Sequence, residues 1–110
     1  MDVRKPLCRL DAVPDGGAIA VNVDSSTGGF DLILVRVGET VVAYHNECPH
    51  AGRRLDWAPG KFLIDNGTLI CAAHGATFQL ENGHCIAGPC RGQSLRSIVV
   101  DVVDGQVCLP

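Results

Sequence analysis

The sequence predicts an all-β fold, an antiparallel sandwich or barrel, and three observations carry that expectation. Apolar runs of mostly four to eight residues alternate with turn signals, a length that suits strands and is too short for ordinary helices. Val, Ile and Thr dominate those runs, and their χ1-stiff side chains suit a pleated surface. Three dipeptides, Asn66-Gly67, Asn82-Gly83 and Asp104-Gly105, signal type I′ hairpins, whose two central residues need positive φ. No amphipathic helical period, internal repeat or low-complexity stretch competes with this pattern.

Taken in order, Asp15-Gly16-Gly17 leads into a strand from Ala18 to Val23. The stretch Ser25-Ser26-Thr27-Gly28-Gly29 breaks the chain before a second strand, Phe30 to Val37. Gly38-Glu39 turns into a third, Val41 to His45. Thr68 to Cys71 follows the Asn66-Gly67 signal, Ser97 to Val103 reads as one strand, and Asp104-Gly105 joins it to Gln106 to Leu109. The segment from Cys48 to Pro89 interrupts this regularity with loops, and the chemically informative residues fall inside it.

The 110 residues are expected to form one domain, 1–110, burying roughly 65% of the unfolded surface. Hydrophobic residues at 46% and charged residues at 19% fit a folded chain, not a disordered one. A net charge of -3 argues against nucleic acid as a partner, because phosphate binding needs clustered Lys and Arg. No run approaches the ~18 apolar residues of a membrane-spanning helix, and the N-terminus lacks a signal-peptide apolar core. A cytoplasmic location without membrane contact is therefore expected. Thiols stay reduced there, so six cysteines call for an explanation other than disulfides.

Two short motifs supply one. Cys48-Pro49-His50 and Cys71-Ala72-Ala73-His74 each pair a thiolate with an imidazole, and residues 51 to 70, 20 in all, separate them. The strands beside them are expected to pair, so that two adjacent loop tips present four ligands. One such pair alone would more simply be a satisfied polar residue and a small buried hydrophobe. Two pairs on consecutive loops make a metal site the better account. The donor set suits a tetrahedral zinc, or a 2Fe-2S cluster with two thiolates on one iron and two imidazoles on the other. Spacing alone does not choose between them.

The flanking residues do. The run Cys71-Ala72-Ala73-His74-Gly75-Ala76-Thr77-Phe78, then Asn82-Gly83, Gly88-Pro89 and Leu95, resembles the second half of a Rieske domain. Cys48-Pro49-His50-Ala51-Gly52, with Leu55 following, resembles the first half. The resemblance implies a small cluster-binding subdomain built of loops, about residues 46–91, holding one 2Fe-2S cluster. Cys48 and Cys71 would ligate one iron, and His50 and His74 the other. Gly75 would let the backbone approach the cluster. Gly88-Pro89 fits a third loop closing over it, and Phe78 an apolar support beneath. Ala76 and Phe78 belong to the surroundings that tune it.

This sequence departs from the high-potential members of that family in informative places. Two further cysteines that form a disulfide there are replaced here by Arg53 and Ala73. A Ser and a Tyr that donate hydrogen bonds to sulfur are replaced by Ala76 and Phe78, which have no side-chain donor. Fewer donors leave the reduced cluster less stabilised, so a potential toward the low end of the roughly -150 to +300 mV Rieske range is expected. The pattern resembles soluble Rieske ferredoxins. Their connection between motifs is usually shorter, and the extra length here falls between Trp57 and Asn66. Trp57 reads as a core residue under that insertion, with a docking surface as the alternative.

Four protein ligands leave no open coordination position, so the resemblance implies an electron carrier and not a catalyst. Such a carrier would take electrons from a flavin-dependent NAD(P)H reductase and pass them to a terminal oxygenase by way of the outer edges of His50 and His74. Loss of a ring proton on oxidation would make the potential depend on pH. The small Rieske subunit of a larger reductase, nitrite reductase-like, is a second reading within redox chemistry. A zinc-stabilised interaction module is the rival from another class. Of the remaining residues, Cys85 and Cys90 flank Gly88-Pro89, where a disulfide or a thiol of Cys90 near the cluster both fit. Cys8 and Cys108 have no partner motif. His45 is expected to end a strand and His84 to be exposed, neither holding metal. Arg53 and Arg54 read as solvated surface, with a local positive rim as the alternative.

Overall fold

The computed structural model describes residues 5–25, 28–49, 54–58, 60–71 and 75–109. Among these, the strands are β1 Lys5–Arg9, β2 Ala18–Ser25, β3 Gly28–Val37, β4 Thr40–His45, β5 Leu63–Asp65, β6 Thr68–Ile70, β7 Thr77–Gln79, β8 Cys85–Ala87, β9 Ser97–Ile98, β10 Asp101–Val103 and β11 Gln106–Leu109. They form three antiparallel sheets, ordered β1-β11-β10, β2-β3-β4-β9 and β5-β6-β7-β8. A single 3-10 turn, Leu10–Ala12, is the one helical element among the described residues. No helix there is long and apolar enough to cross a membrane.

The continuous apolar run of β3 explains the layering. Leu32, Ile33, Leu34 and Val35 are all fully buried, so this strand is covered on both faces. Ile33 and Val35 pack with Tyr44, Leu69 and Phe78, whereas Leu34 packs with Val13, Val41, Ala43 and Val107. Strand period two thus places the β2-β3-β4-β9 sheet between two cores. One core is shared with the β5–β8 sheet and contains both motif cysteines, Cys48 and Cys71.

Two of the three hairpin expectations hold. Asn66 and Gly67 have φ 48 and 73, Asp104 and Gly105 have φ 51 and 74, and each pair joins adjacent strands. At Asn82-Gly83 only Gly83 has positive φ, at 71, and the connection runs from Leu80 to His84, so no two-residue type I′ turn forms. The Asn82 side chain is used locally instead, its Oδ1 accepting from the His84 N–H at 2.8 Å. Gly28 and Gly29 lie within β3, because pairing with β2 continues to Ser25 and Gly28.

The strand expected over Ser97 to Val103 is two strands. Ser97–Ile98 pairs with β4 and Asp101–Val103 with β11, so the chain changes sheets between them. Val99, 71% exposed, marks that corner. The strands preceding the two motifs do not pair with each other. β4 lies between β3 and β9, and β6 between β5 and β7. The sheets are joined instead by Tyr44, whose Oη donates to the Leu80 carbonyl at 2.8 Å. Gly83 permits this, because a Cβ there would come 2.6 Å from Tyr44 Cε1.

Candidate metal centre

The first motif leaves the end of β4. The His45 N–H donates to Arg96 O at 2.8 Å and the Asn46 N–H to Asp31 O at 3.0 Å, which fixes the exit of the chain. Cys48 then turns inward, 1% exposed, while Pro49 is exposed. The chain returns at Leu55, fully buried, whose N–H donates to Asn46 Oδ1 at 2.7 Å. One side chain therefore ties the start of this loop to its end.

Beyond Leu55, Arg54 forms a two-bond pair with Asp56, and Asp56 Oδ2 also accepts from the Gly60 N–H at 3.0 Å. Arg54 makes a second ion pair with Asp31 of β3. Arg54 is exposed, as the surface reading expects, with its charge engaged by two carboxylates. Burial pushes the Asp56 carboxyl upward, but Arg54, the Gly60 N–H and the facing Asn46 amide together hold it below the usual aspartate value. Asn46 Nδ2 itself completes no hydrogen bond among the described residues.

The second motif begins as β6 ends. Cys71 is 1% exposed, and its N–H donates to Ala76 O at 2.7 Å, while the Gly75 N–H donates to Cys71 O at 2.9 Å. These bonds close the base of the loop and commit both N–H groups to carbonyls. Gly75 has φ +74, which is the requirement the backbone imposes there. Among the described residues a Cβ on Gly75 meets nothing within 4 Å. Ala76 and Phe78 are fully buried in the core that holds both cysteines.

The third loop touches both of the others. Gly88 has φ +91, and a Cβ there would lie 2.8 Å from Ala76 Cα. Among the glycines of the second and third loops, Gly88 is the one whose backbone is in close contact with another loop. Pro89 is exposed, and Cys90, two residues beyond Gly88, is fully buried with its Sγ 3.6 Å from Cys48 Sγ. None of the six cysteines is in a disulfide, so Cys85 and Cys90 do not pair. The Cys85 thiol donates to the Ala87 carbonyl at 3.2 Å instead.

The remaining sequence-predicted residues fall as follows. His50 and His74, with Arg53 and Ala73, lie outside the described residues. His45 ends β4, and His84 is exposed with Nδ1 3.2 Å from Ser94 Oγ. Trp57 is 58% exposed with Lys61 Nζ 5.9 Å from its ring centroid, so the core reading of Trp57 is corrected. Sequence reasoning missed Asn46, Asp31 and Asp56. Asn46 and Asp31 act across 9 and 23 positions, on Leu55 and Arg54, which no local motif marks. Asp56 pairs with Arg54 two positions away, without any motif to announce it.

Two cysteines on separate loops, both shielded from water in one apolar core and neither in a disulfide, are a donor set suited to a thiophilic metal centre. Comparison with known proteins agrees. A family model described as the Rieske [2Fe-2S] domain matches residues 4–104. The chain is 28% identical over 101 residues to the 3-phenylpropionate/cinnamic acid dioxygenase ferredoxin subunit of Photorhabdus laumondii subsp. laumondii, spanning 92% of this chain and 88% of that one. Among solved structures, the Sphingomonas yanoikuyae B1 ferredoxin superposes with a TM-score of 0.77 at 26% identity, over 96% of each chain. The ferredoxin of carbazole 1,9a-dioxygenase from Nocardioides aromaticivorans IC177 gives 0.72 at 25% identity, over 99% of each.

Proposed function

The chain belongs to the Rieske [2Fe-2S] domain family, and on that premise we propose that it is a one-electron carrier, the ferredoxin component of a ring-hydroxylating oxygenase system. The observation that carries the reading is the placement of Cys48 and Cys71, each 1% exposed, in one core beneath three converging loops. With His50 and His74 they would hold one 2Fe-2S cluster, the two thiolates on one iron and the two imidazoles on the other. Bound there, the cluster would supply a one-electron couple with all four protein positions filled.

The chain's own residues set the surroundings. Leu55, Leu69, Phe78 and Leu95 exclude water from the cysteine side, and Gly88 lets the third loop close against Ala76. Ala76 and Phe78 offer no side-chain donor to sulfur, which supports a potential low in the Rieske range. Two of the relatives named above are dioxygenase ferredoxins by name, which supports a terminal oxygenase as the electron acceptor; the electron donor in this reading is a flavin-dependent NAD(P)H reductase. Six cysteines without a disulfide suit a reducing compartment, and we place the chain in the cytoplasm.

Purification with iron, labile-sulfide and zinc analysis, visible absorption and reduced-state EPR tests this directly. Iron and sulfide with the EPR signal of a mixed Cys/His cluster is the expected result. A colourless protein holding zinc would overturn it in favour of an interaction module. A midpoint potential above about +150 mV would overturn the low-potential assignment.

A further inference from the structure

We propose that the Cys90 thiol donates a hydrogen bond to the Cys48 sulfur and that this bond raises the potential of the centre. The inference rests on the metal-centre reading above. The two Sγ atoms are 3.6 Å apart and both side chains are buried, so water does not compete for either. As two thiols, either could donate. As an iron ligand Cys48 is a thiolate with no proton, which leaves Cys90 as the donor and Cys48 as the acceptor.

The position of Cys90 is imposed by the loop and is not a matter of side-chain chance. The Gln93 N–H donates to the Cys90 carbonyl at 2.8 Å and the Arg91 N–H to the Gly88 carbonyl at 3.2 Å, a turn that presents the thiol inward. Gly88 seats the same turn on Ala76, next to the second motif. The third loop thereby reaches both motifs, meeting the second through backbone at Ala76 and the first through Cys90 on Cys48. Reduction adds negative charge that spreads onto the ligating sulfurs, so a donor to Cys48 favours the reduced form. Because Ala76 and Phe78 carry no donor, the Cys90 thiol is a tuning group that the second loop lacks.

Cys85 provides an internal control. It is as buried as Cys90 and lies in the same core, but its thiol is directed at the Ala87 carbonyl. The test compares the cluster-bearing wild type with Cys90→Ala, Cys90→Ser and Cys85→Ala by redox titration. Resonance Raman spectra of the iron–thiolate stretches in water and deuterium oxide accompany each titration. Cys90→Ala is expected to lower the reduction constant about threefold to tenfold, tenfold being ~59 mV for a one-electron couple. Cys90→Ser, which keeps a donor, is expected to recover part of that loss, and Cys85→Ala to match wild type. The deuterium shift of the iron–thiolate modes should be smaller in Cys90→Ala.

A potential in Cys90→Ala equal to wild type overturns the proposal, as does an equal shift in Cys85→Ala or a serine variant no different from alanine. A folded Cys90→Ala chain without iron and sulfide overturns it too, since Cys90 would then serve assembly and not tuning. Wild-type protein without a cluster would instead defeat the metal-centre reading itself, so the two failures are distinguishable.

Discussion

Arg54 grips Asp56 through two parallel hydrogen bonds, Nε to Oδ1 and Nη2 to Oδ2, each 2.9 Å long. The Asp56 side chain is 1% exposed and that of Arg54 is 48% exposed, so the carboxylate is held inside by a cation that reaches in from solvent. With Asp31 on the other side of Arg54 and Gly60 on the other side of Asp56, the pair fastens the far end of the Cys48 loop to β3.

Asp56→Asn removes a charge that this arrangement depends on, and a loss of about 1–3 kcal/mol at neutral pH is expected. The pH dependence follows from the direction of the shift. Because the folded carboxyl titrates below the unfolded one, its stabilisation is present above the unfolded value of about 4 and is lost as pH falls through the folded value. Urea unfolding at neutral pH and in acid should therefore show a gap between wild type and Asp56→Asn that closes in acid. A gap of equal size at both pH values would show that the pair is not the source.

Tyr44 acts at the opposite end of the pH scale. Burial first, and the negative charge of Glu81 second, push its phenol up to about 12. The folded state holds the proton more tightly than the unfolded chain, so the stabilisation is full below pH 10 and is lost as pH rises toward 12. Two units correspond to roughly 2–3 kcal/mol of stability lost across that window. Tyr44→Phe removes the bond to Leu80, costs about 0.5–1.5 kcal/mol at neutral pH, and should flatten this alkaline slope. Thermal or urea unfolding of both proteins between neutral pH and pH 11 measures it.

The strand pattern was legible where runs were long. β2, β3 and β4 each carry six or more residues, and the apolar stretch Leu32 to Val35 announces a strand buried on both faces. β5, β6, β7 and β8 have three residues each, too few for period two to show, and of these only β6 was visible beside its Asn66-Gly67 turn. The motif cysteines stood out because a metal site would impose residue type and local spacing together. Asn46, Asp31 and Asp56 did not, since any chain of ordinary composition contains such residues and only the fold brings them to Leu55 and Arg54. The Cys90 thiol lay between: its place beside the third loop was readable, but its contact with Cys48 required the loop to be seated by Gly88.

Gly88 is the residue whose size and backbone angle both bear on assembly of the centre. Alanine there would set a Cβ 2.8 Å from Ala76 Cα and 3.1 Å from the Gly75 carbonyl oxygen, all backbone that cannot swing aside. The left-handed φ of +91 adds its own strain, about 1–3 kcal/mol for a side-chain-bearing residue. Gly75→Ala carries a similar φ but meets no neighbour within 4 Å among the described residues. Gly88→Ala is therefore expected to lower both stability and the yield of iron and sulfide per chain more than Gly75→Ala does. Equal effects would mean that backbone strain, and not the contact between loops, controls assembly.

Trp57 separates the two readings that its place in the insertion leaves open. A tryptophan packed in a core typically costs about 3–5 kcal/mol when cut to alanine. Here the ring is 58% exposed, and its described partner is the Lys61 ammonium 5.9 Å away, an exposed contact worth about 0.5–1 kcal/mol. The backbone of the insertion is held independently, by the Trp57 N–H on Lys61 O at 2.9 Å and the Lys61 N–H on Ala58 O at 2.8 Å. Trp57→Ala should thus lower unfolding stability by no more than about 1 kcal/mol and leave iron and sulfide content unchanged. A loss of several kcal/mol would return Trp57 to the core. A small loss, with slower electron transfer to the oxygenase, would instead assign this exposed ring to the contact with a partner.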